Sequence, residues 1–111
     1  MNSLIRNAMA NICTNMLYLS TGDRQLRDSL IRSMKQTFNC YDVQSYEDGS
    51  DFDCDVEFES RWTFPQEKME ALTKGLPEDN DLYIRVLSYE FGCEYVGFNT
   101  YASGEWCDKL A

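Results

Sequence analysis

Between Asp51 and Glu59 every second residue is an acid: Asp51, Asp53, Asp55, Glu57 and Glu59, with Phe52, Cys54, Val56 and Phe58 between them. Carboxylates can hold a cation, move a proton or present a field, and their spacing decides which. A period of two is the period of a strand. The acids therefore stand in a row about 6.8 Å apart on one face, and the apolar residues point the other way. Ca²⁺ or Mg²⁺ needs oxygens that converge on one point, whereas a row along an extended strand diverges. The run Glu47-Asp48-Gly49-Ser50-Asp51 reads as a loop, but it lacks the ligand spacing of an EF-hand. No metal site follows. What remains is a field that attracts basic protein surfaces and repels phosphate.

Other chemistries find little to work with. The absence of histidine removes a Cys–His nucleophilic pair, and nothing marks another base for a thiol. Five cysteines (Cys13, Cys40, Cys54, Cys93, Cys107) form no C-x-x-C pair, so zinc and iron–sulfur ligation are not implied. Their odd number does not require disulfides, and buried thiols are the simplest account. No phosphate-cradling glycine loop is present. The sequence implies no cofactor and no catalytic residue.

The 111 residues suit one domain, and an apolar fraction of 43% is enough for a core. Formal charge is −9, unevenly spread. Residues 1–41 hold five bases and two acids, net +3; residues 42–111 hold 17 acids and five bases, net −12. The acidic part should repel nucleic acid and anionic membrane. Plain solubility is the simpler account of the same charge. No run is long and apolar enough to span a membrane, and no secretion signal opens the chain, so a cytoplasmic location is expected.

The elements that must position the acid row are legible. Met1–Ala8 reads as a leader, with Met9 an alternative start, and residues 9–111 as the domain. Ile12–Ser20 is a strand with Cys13, Leu17 and Leu19 on one side, Asn15 interrupting them, and Met16 and Tyr18 opposite. Asp23 caps a helix to Phe38 whose stripe is Leu26, Leu30, Ile31, Met34 and Phe38. Arg24, Arg27 and Lys35 lie on another side, as a solvated face or a basic contact surface. Cys40–Tyr46 is a short strand, and the acid-bearing strand runs on to Trp62. Pro65–Lys74 is a second helix, with Pro65 at its first position and Gly75 at the left-handed stop. Leu82–Glu90 and Glu94–Ala102 are strands, Gly97 marking a bulge or a close neighbour, and Glu105–Leu110 is a short strand or tail. The expected fold is α+β, a ferredoxin-like βαββαβ core with both helices on one face of an antiparallel sheet and an extra C-terminal strand or hairpin. Phe52, Cys54, Val56, Phe58 and Trp62 then face the helices, and the acids face outward.

The run Met9-Ala10-Asn11-Ile12-Cys13-Thr14-Asn15-Met16-Leu17-Tyr18-Leu19 resembles the opening of the YubB-type ferredoxin-like domain. That family is carried on bacterial phages, plasmids and genomic islands. Its members begin Met-Ala-Asn, then an aromatic residue, a Cys, an Asn and an alternating strand. Val56–Trp62 followed by Pro65 and the helix Glu67–Gly75 is similar to the family's aromatic strand ending in Trp before a Pro-started helix. Tyr89–Gly97 is similar to its segment of Tyr, acids and spaced glycines. Ile12 stands in place of the usual aromatic residue, Thr63-Phe64 in place of a Ser-Pro helix start, and the acid row is denser. The resemblance implies a fold and a mobile-element setting. The family has no settled activity, so it implies no catalytic residues.

These observations point to an acidic, non-enzymatic interaction protein of a phage or mobile element. Its expected partner is a basic protein surface, such as the nucleic-acid groove of a host defence nuclease complex, blocked as an anti-CRISPR or anti-restriction protein would block it. The expected contact residues are Asp51, Asp53, Asp55, Glu57 and Glu59, with Asp42, Glu47, Asp48, Tyr83 and Tyr89. Glu90 and Glu94 are further acids that could flank the row. RNA binding would use Tyr83, Tyr89, Tyr95 and Tyr101 as stacking groups, against repulsion from the acids. The alternatives are a homo-oligomeric scaffold that pairs through the C-terminal strand, with the acids guarding the other edge, and an enzyme built around Asp42, Glu90 or Glu94.

Overall fold

A computed structural model describes residues 12–111; the expected leader and the Met9 start lie outside the described residues. The elements are β1 (Ile12–Thr21), α1 (Arg24–Thr37), β2 (Asn39–Asp48), β3 (Asp51–Arg61), α2 (Gln66–Thr73), β4 (Tyr83–Glu90), a 3₁₀ turn (Phe91–Cys93), β5 (Tyr95–Ala102) and β6 (Glu105–Asp108). The fold is α+β. Six strands form one antiparallel sheet in the order β2-β3-β1-β4-β5-β6. This arrangement is compatible with the ferredoxin-like class.

Alternation builds the core. Leu17 and Leu19 of β1, Cys54, Val56 and Phe58 of β3, and Ile84 and Val86 of β4 all point to one side, where they join Leu30, Ile31 and Met34 of α1 and Met69 of α2 in one buried cluster. Both helices therefore cover the same face. Phe38 and Phe58 pack within it as a tilted pair, 4.5 Å between ring centroids. Burying a side chain such as Phe58 is worth about 1.5–3 kcal/mol. At the far end Trp106 of β6 packs against Phe64 and Tyr101 and donates its indole N–H to Thr73 Oγ1 at 3.0 Å. This ties the C-terminal hairpin to α2.

Helix ends follow local chemistry. Asp23 accepts from the amides of Gln25 and Leu26 at 3.0 and 3.2 Å, satisfying donors that have no partner within the first turn. Gly75 takes φ +88 just past α2, the left-handed position at which a side chain is strained. Pro65 is the residue before α2 and not its first turn, one place earlier than expected. Gly97 marks a close neighbour and no register shift: a Cβ there would lie 2.3 Å from Tyr95 Oη, the oxygen that accepts from the Phe64 amide.

Three placements differ from expectation. Trp62 does not face the helices. It leaves the strand with φ +70 and is 46% exposed, because the left-handed turn rotates the chain out of alternation. Arg27 is buried, not solvated. Its Nε donates to Asp28, its Nη1 donates to the Tyr46 carbonyl, and its guanidinium lies 5.5 Å from the Phe52 ring centroid. Arg24 reaches the same ring at 5.1 Å and pairs with Glu47 at 2.5 Å. Two of the three bases expected as a basic surface thus clamp the β2–β3 hairpin. Finally, β3 is no edge. It pairs with β1 and β2 on its two sides, and the sheet edges are β2 and β6.

Candidate functional site

The face turned away from the helices carries the outward residues of all six strands. Register sets them in rows across the sheet. One row runs Asp42, Glu57, Met16, Leu87, Phe98 from β2 to β5. The next runs Gln44, Asp55, Tyr18, Arg85, Thr100, and the third begins Tyr46, Asp53, Ser20, Tyr83. A fourth, at the other side of the first, contains Glu59, Thr14, Tyr89 and Val96. Each column is one strand, about 4.8 Å from the next. The acids of this face are gathered over β2 and β3, whereas β1, β4 and β5 carry Met16, Tyr18, Tyr83, Leu87, Tyr89, Val96 and Phe98 among Thr14, Ser20, Arg85 and Thr100.

The acid half holds most of the expected residues. Asp42 and Asp48 of β2 stand opposite Glu57 and Asp51 of β3. Like charges directly opposite each other on a sheet are destabilising, so nothing in folding favours this pairing. Asp51 and Asp55 are exposed, and Glu57 and Glu59 are half-buried. Asp53 differs from expectation: flanked by Ser20 and Tyr46, it is 4% exposed, and its Oδ1 is buried with no hydrogen-bond partner. Glu47 points to the helix side, where Arg24 holds it. Burial first, then the negative charge of Asp55, pushes the Tyr46 phenol above its ordinary pKa.

Tyr83 and Tyr89 sit on the open face but across β1 from the acids, on β4. Tyr89 stacks on Phe91, which is largely exposed, at 4.8 Å. Tyr95 and Tyr101 are on the other side, Tyr101 inside the core and Tyr95 half-buried against it, so the four tyrosines do not make one stacking platform. Arg85 lies 4.4 Å above the Tyr18 ring. Between the halves Met16, Tyr18, Leu87 and Phe98 line a concavity of about 520 Å³ bounded by Asp42, Asp55 and Glu57. Met16 is 44% and Leu87 40% exposed. This apolar row was absent from the expected contact residues. Its signal was the outward phase of Met16, Leu87 and Phe98 in three separate strands, which becomes a surface only once the strand order is known.

The interior holds polar groups of a different kind. Asn15 is fully buried on the helix side of β1; its Nδ2 donates to Ser60 Oγ at 2.9 Å and to the Phe58 carbonyl at 3.3 Å, and its Oδ1 accepts from Ser88 Oγ at 2.6 Å. Beside it, burial pushes the Cys13 thiol up and the charge of Glu90 adds to this, against the Ser60 hydroxyl. A thiol kept protonated is a poor nucleophile. Glu90 does not flank the acid row. It is buried and accepts from the amides of Gly92 and Cys93 at 2.9 and 2.5 Å, and contact with the Cys93 thiol, with these amides, holds its carboxyl below the usual range. Glu94, at φ +54, ends the 3₁₀ turn before β5 and also lies away from the row.

Among the described residues no group of three or more Cys, Asp and Glu side chains converges as a metal site, and no helix is long and apolar enough to cross a membrane. No family model, curated protein or solved structure matches this chain. The fold and the site therefore define a class, an α+β domain with one covered and one open sheet face.

Proposed function

We propose that this chain is an acidic, non-enzymatic interaction protein with a ferredoxin-like βαββαβ core, from a phage or other mobile element, acting in the host cytoplasm. It binds a basic protein surface in a host nucleic-acid-binding defence complex and keeps nucleic acid away from it. The observation that carries this reading is the two-strand carboxylate field, in which Asp42 and Asp48 stand beside the row of β3. The resemblance of Met9–Leu19, Val56–Trp62 and Tyr89–Gly97 to the YubB-type family supports the mobile-element setting.

Charge density supports a particular kind of imitation. One row alone has a carboxylate about every 6.8 Å. Counting Asp42, Asp48, Asp51, Asp55, Glu57 and Glu59 over the roughly 27 Å from Asp51 to Glu59 gives about one charge per 5 Å. Duplex DNA has one per about 1.7 Å of axis and each of its strands one per about 3.4 Å. The field is closer to one strand than to a duplex.

The test is a native pull-down from host cells with the wild-type chain and an Asp55→Lys/Glu57→Lys variant. A nucleic-acid-binding protein retained by the wild type and lost by the variant is the expected result. Recovery of no such protein, or equal recovery by both, overturns the proposal.

A further inference from the structure

The central row of the open face has an order that a simple acidic patch does not. From β2 to β5 it reads acid, acid, apolar, apolar, apolar: Asp42, Glu57, Met16, Leu87, Phe98. Its backbone is already paired within the sheet on both sides from β3 to β5, so a partner meets this face through side chains only. Neighbouring columns are about 4.8 Å apart. Successive side chains on one face of an α-helix, three or four residues apart, are about 5–6 Å apart. A helix laid across the strands therefore sets one side chain over each column.

We propose that this row receives a basic amphipathic α-helix of a partner protein, with two cations over Asp42 and Glu57 and three apolar side chains over Met16, Leu87 and Phe98. The inference rests on the interaction reading above and specifies its partner. The helix has basic residues at one end of its stripe and apolar residues along the rest, at spacings of three and four. The concavity lined by Met16, Leu87 and Phe98 takes the first two apolar side chains, and Asp42, Asp55 and Glu57, which outnumber Arg85 on the same lining, supply the complementary charge.

Charge argues against the other occupants. A second copy of the chain brings its own acids; the outward bases on the described strands are Arg85, already over Tyr18, and Arg61 at the far end of β3. RNA brings phosphates to carboxylates. A uniformly basic partner satisfies Asp42 and Glu57 but leaves Met16 and Leu87 in water.

The test uses the full chain and synthetic helical peptides of about 18 residues. The first has Lys at two successive stripe positions followed by Leu at three. The second is a scramble of the same composition that keeps the charge and destroys the stripe. Fluorescence anisotropy is expected to show the first binding about tenfold or more tighter than the scramble. Leu87→Asp and Met16→Asp should each weaken the first peptide by about tenfold without weakening the scramble, whose lysines the added carboxylate attracts. Equal binding of the two peptides, or no binding of either, overturns the inference. So does concentration-dependent self-association abolished by Leu87→Asp in sedimentation, or tighter binding of an RNA oligonucleotide than of the first peptide. In the pull-down, a partner lost with Asp55→Lys/Glu57→Lys but kept with Leu87→Asp sinks this inference and leaves the proposed function standing.

Discussion

Asn15 and Asp53 lie on opposite faces of adjacent strands, and both are buried. Asn15, under the helices, has Ser60, the Phe58 carbonyl and Ser88 as partners. Asp53, on the open face, has a buried Oδ1 with no donor. A buried polar group that lacks a partner costs about 1–3 kcal/mol, and more when charged. The covered face meets that requirement and the open face does not. The same contrast recurs in the pairs of side chains. The covered face opposes Leu17 to Val56 and to Val86, while the open face opposes Asp42 to Glu57 and Asp48 to Asp51. One face is organised for stability. The other carries pairings that folding does not favour, and the proposed function rests on it.

Substitutions can break this contrast. The largest effect is expected at Phe58, fully buried and packed against the Phe38 ring: Phe58→Ala should cost about 3–5 kcal/mol in denaturant unfolding. Asn15→Ala should follow at about 1–3 kcal/mol, because it leaves the buried Ser88 hydroxyl without its acceptor, while Ser60 keeps its bond to the Thr63 carbonyl. A loss under about 0.5 kcal/mol would show that the covered face does not depend on its polar network. Asp53→Asn should go the other way, raising stability by about 1 kcal/mol or less, since it removes a charge from between Asp51 and Asp55 and a neutral amide costs less to bury than an unpartnered carboxylate. A loss of more than about 1 kcal/mol would mean that Asp53 is held by a donor after all, and the two faces would cease to differ in this respect.

The smallest effect is one of pH. Asp81 accepts from the Thr21 hydroxyl at 2.7 Å and the Gly22 amide at 2.8 Å, tying the β1–α1 turn to the segment before β4; these contacts, the hydroxyl first, lower its pKa. A carboxyl with a lowered folded pKa stabilises above its unfolded value, about 3.9, and loses that contribution as pH falls through the folded value. The stability gap between wild type and Asp81→Asn should therefore be full at pH 6 and close below about pH 4. A gap that is constant between pH 6 and pH 3 would refute the assignment.

Much of this was legible in the chain because it is set locally. The period of Asp51–Glu59, the stripe Leu26–Phe38, the Asp23 cap and the Gly75 stop each follow from residues within one element. The strand runs lie within a residue or two of where they are expected, β2 included, whose expected span of Cys40–Tyr46 extends to Asn39–Asp48. The misplacements have long-range or conformational causes. Asp53 is covered because β3 is interior, with Ser20 and Tyr46 beside it. Arg27 is drawn in by a ring and a carbonyl from the β2–β3 hairpin. Tyr95 and Tyr101 part from Tyr83 and Tyr89 because their strands present opposite phases to the core. Trp62 leaves alternation through a positive φ that no pattern announced.

For the candidate site, the sequence by itself determined that one strand carries acids on one side and apolar residues on the other. Alternation is a property of a single extended chain, so no neighbour was needed to read it. Tertiary structure alone decided what stands beside that strand. It set Asp42 and Asp48 next to the row, took Glu47 and Glu90 away from it, and aligned Met16, Leu87 and Phe98 from three strands into one apolar line. The reason is physical: a row across a sheet is made of residues brought together by register, and register is set by the packing of the whole covered face, not by any one strand.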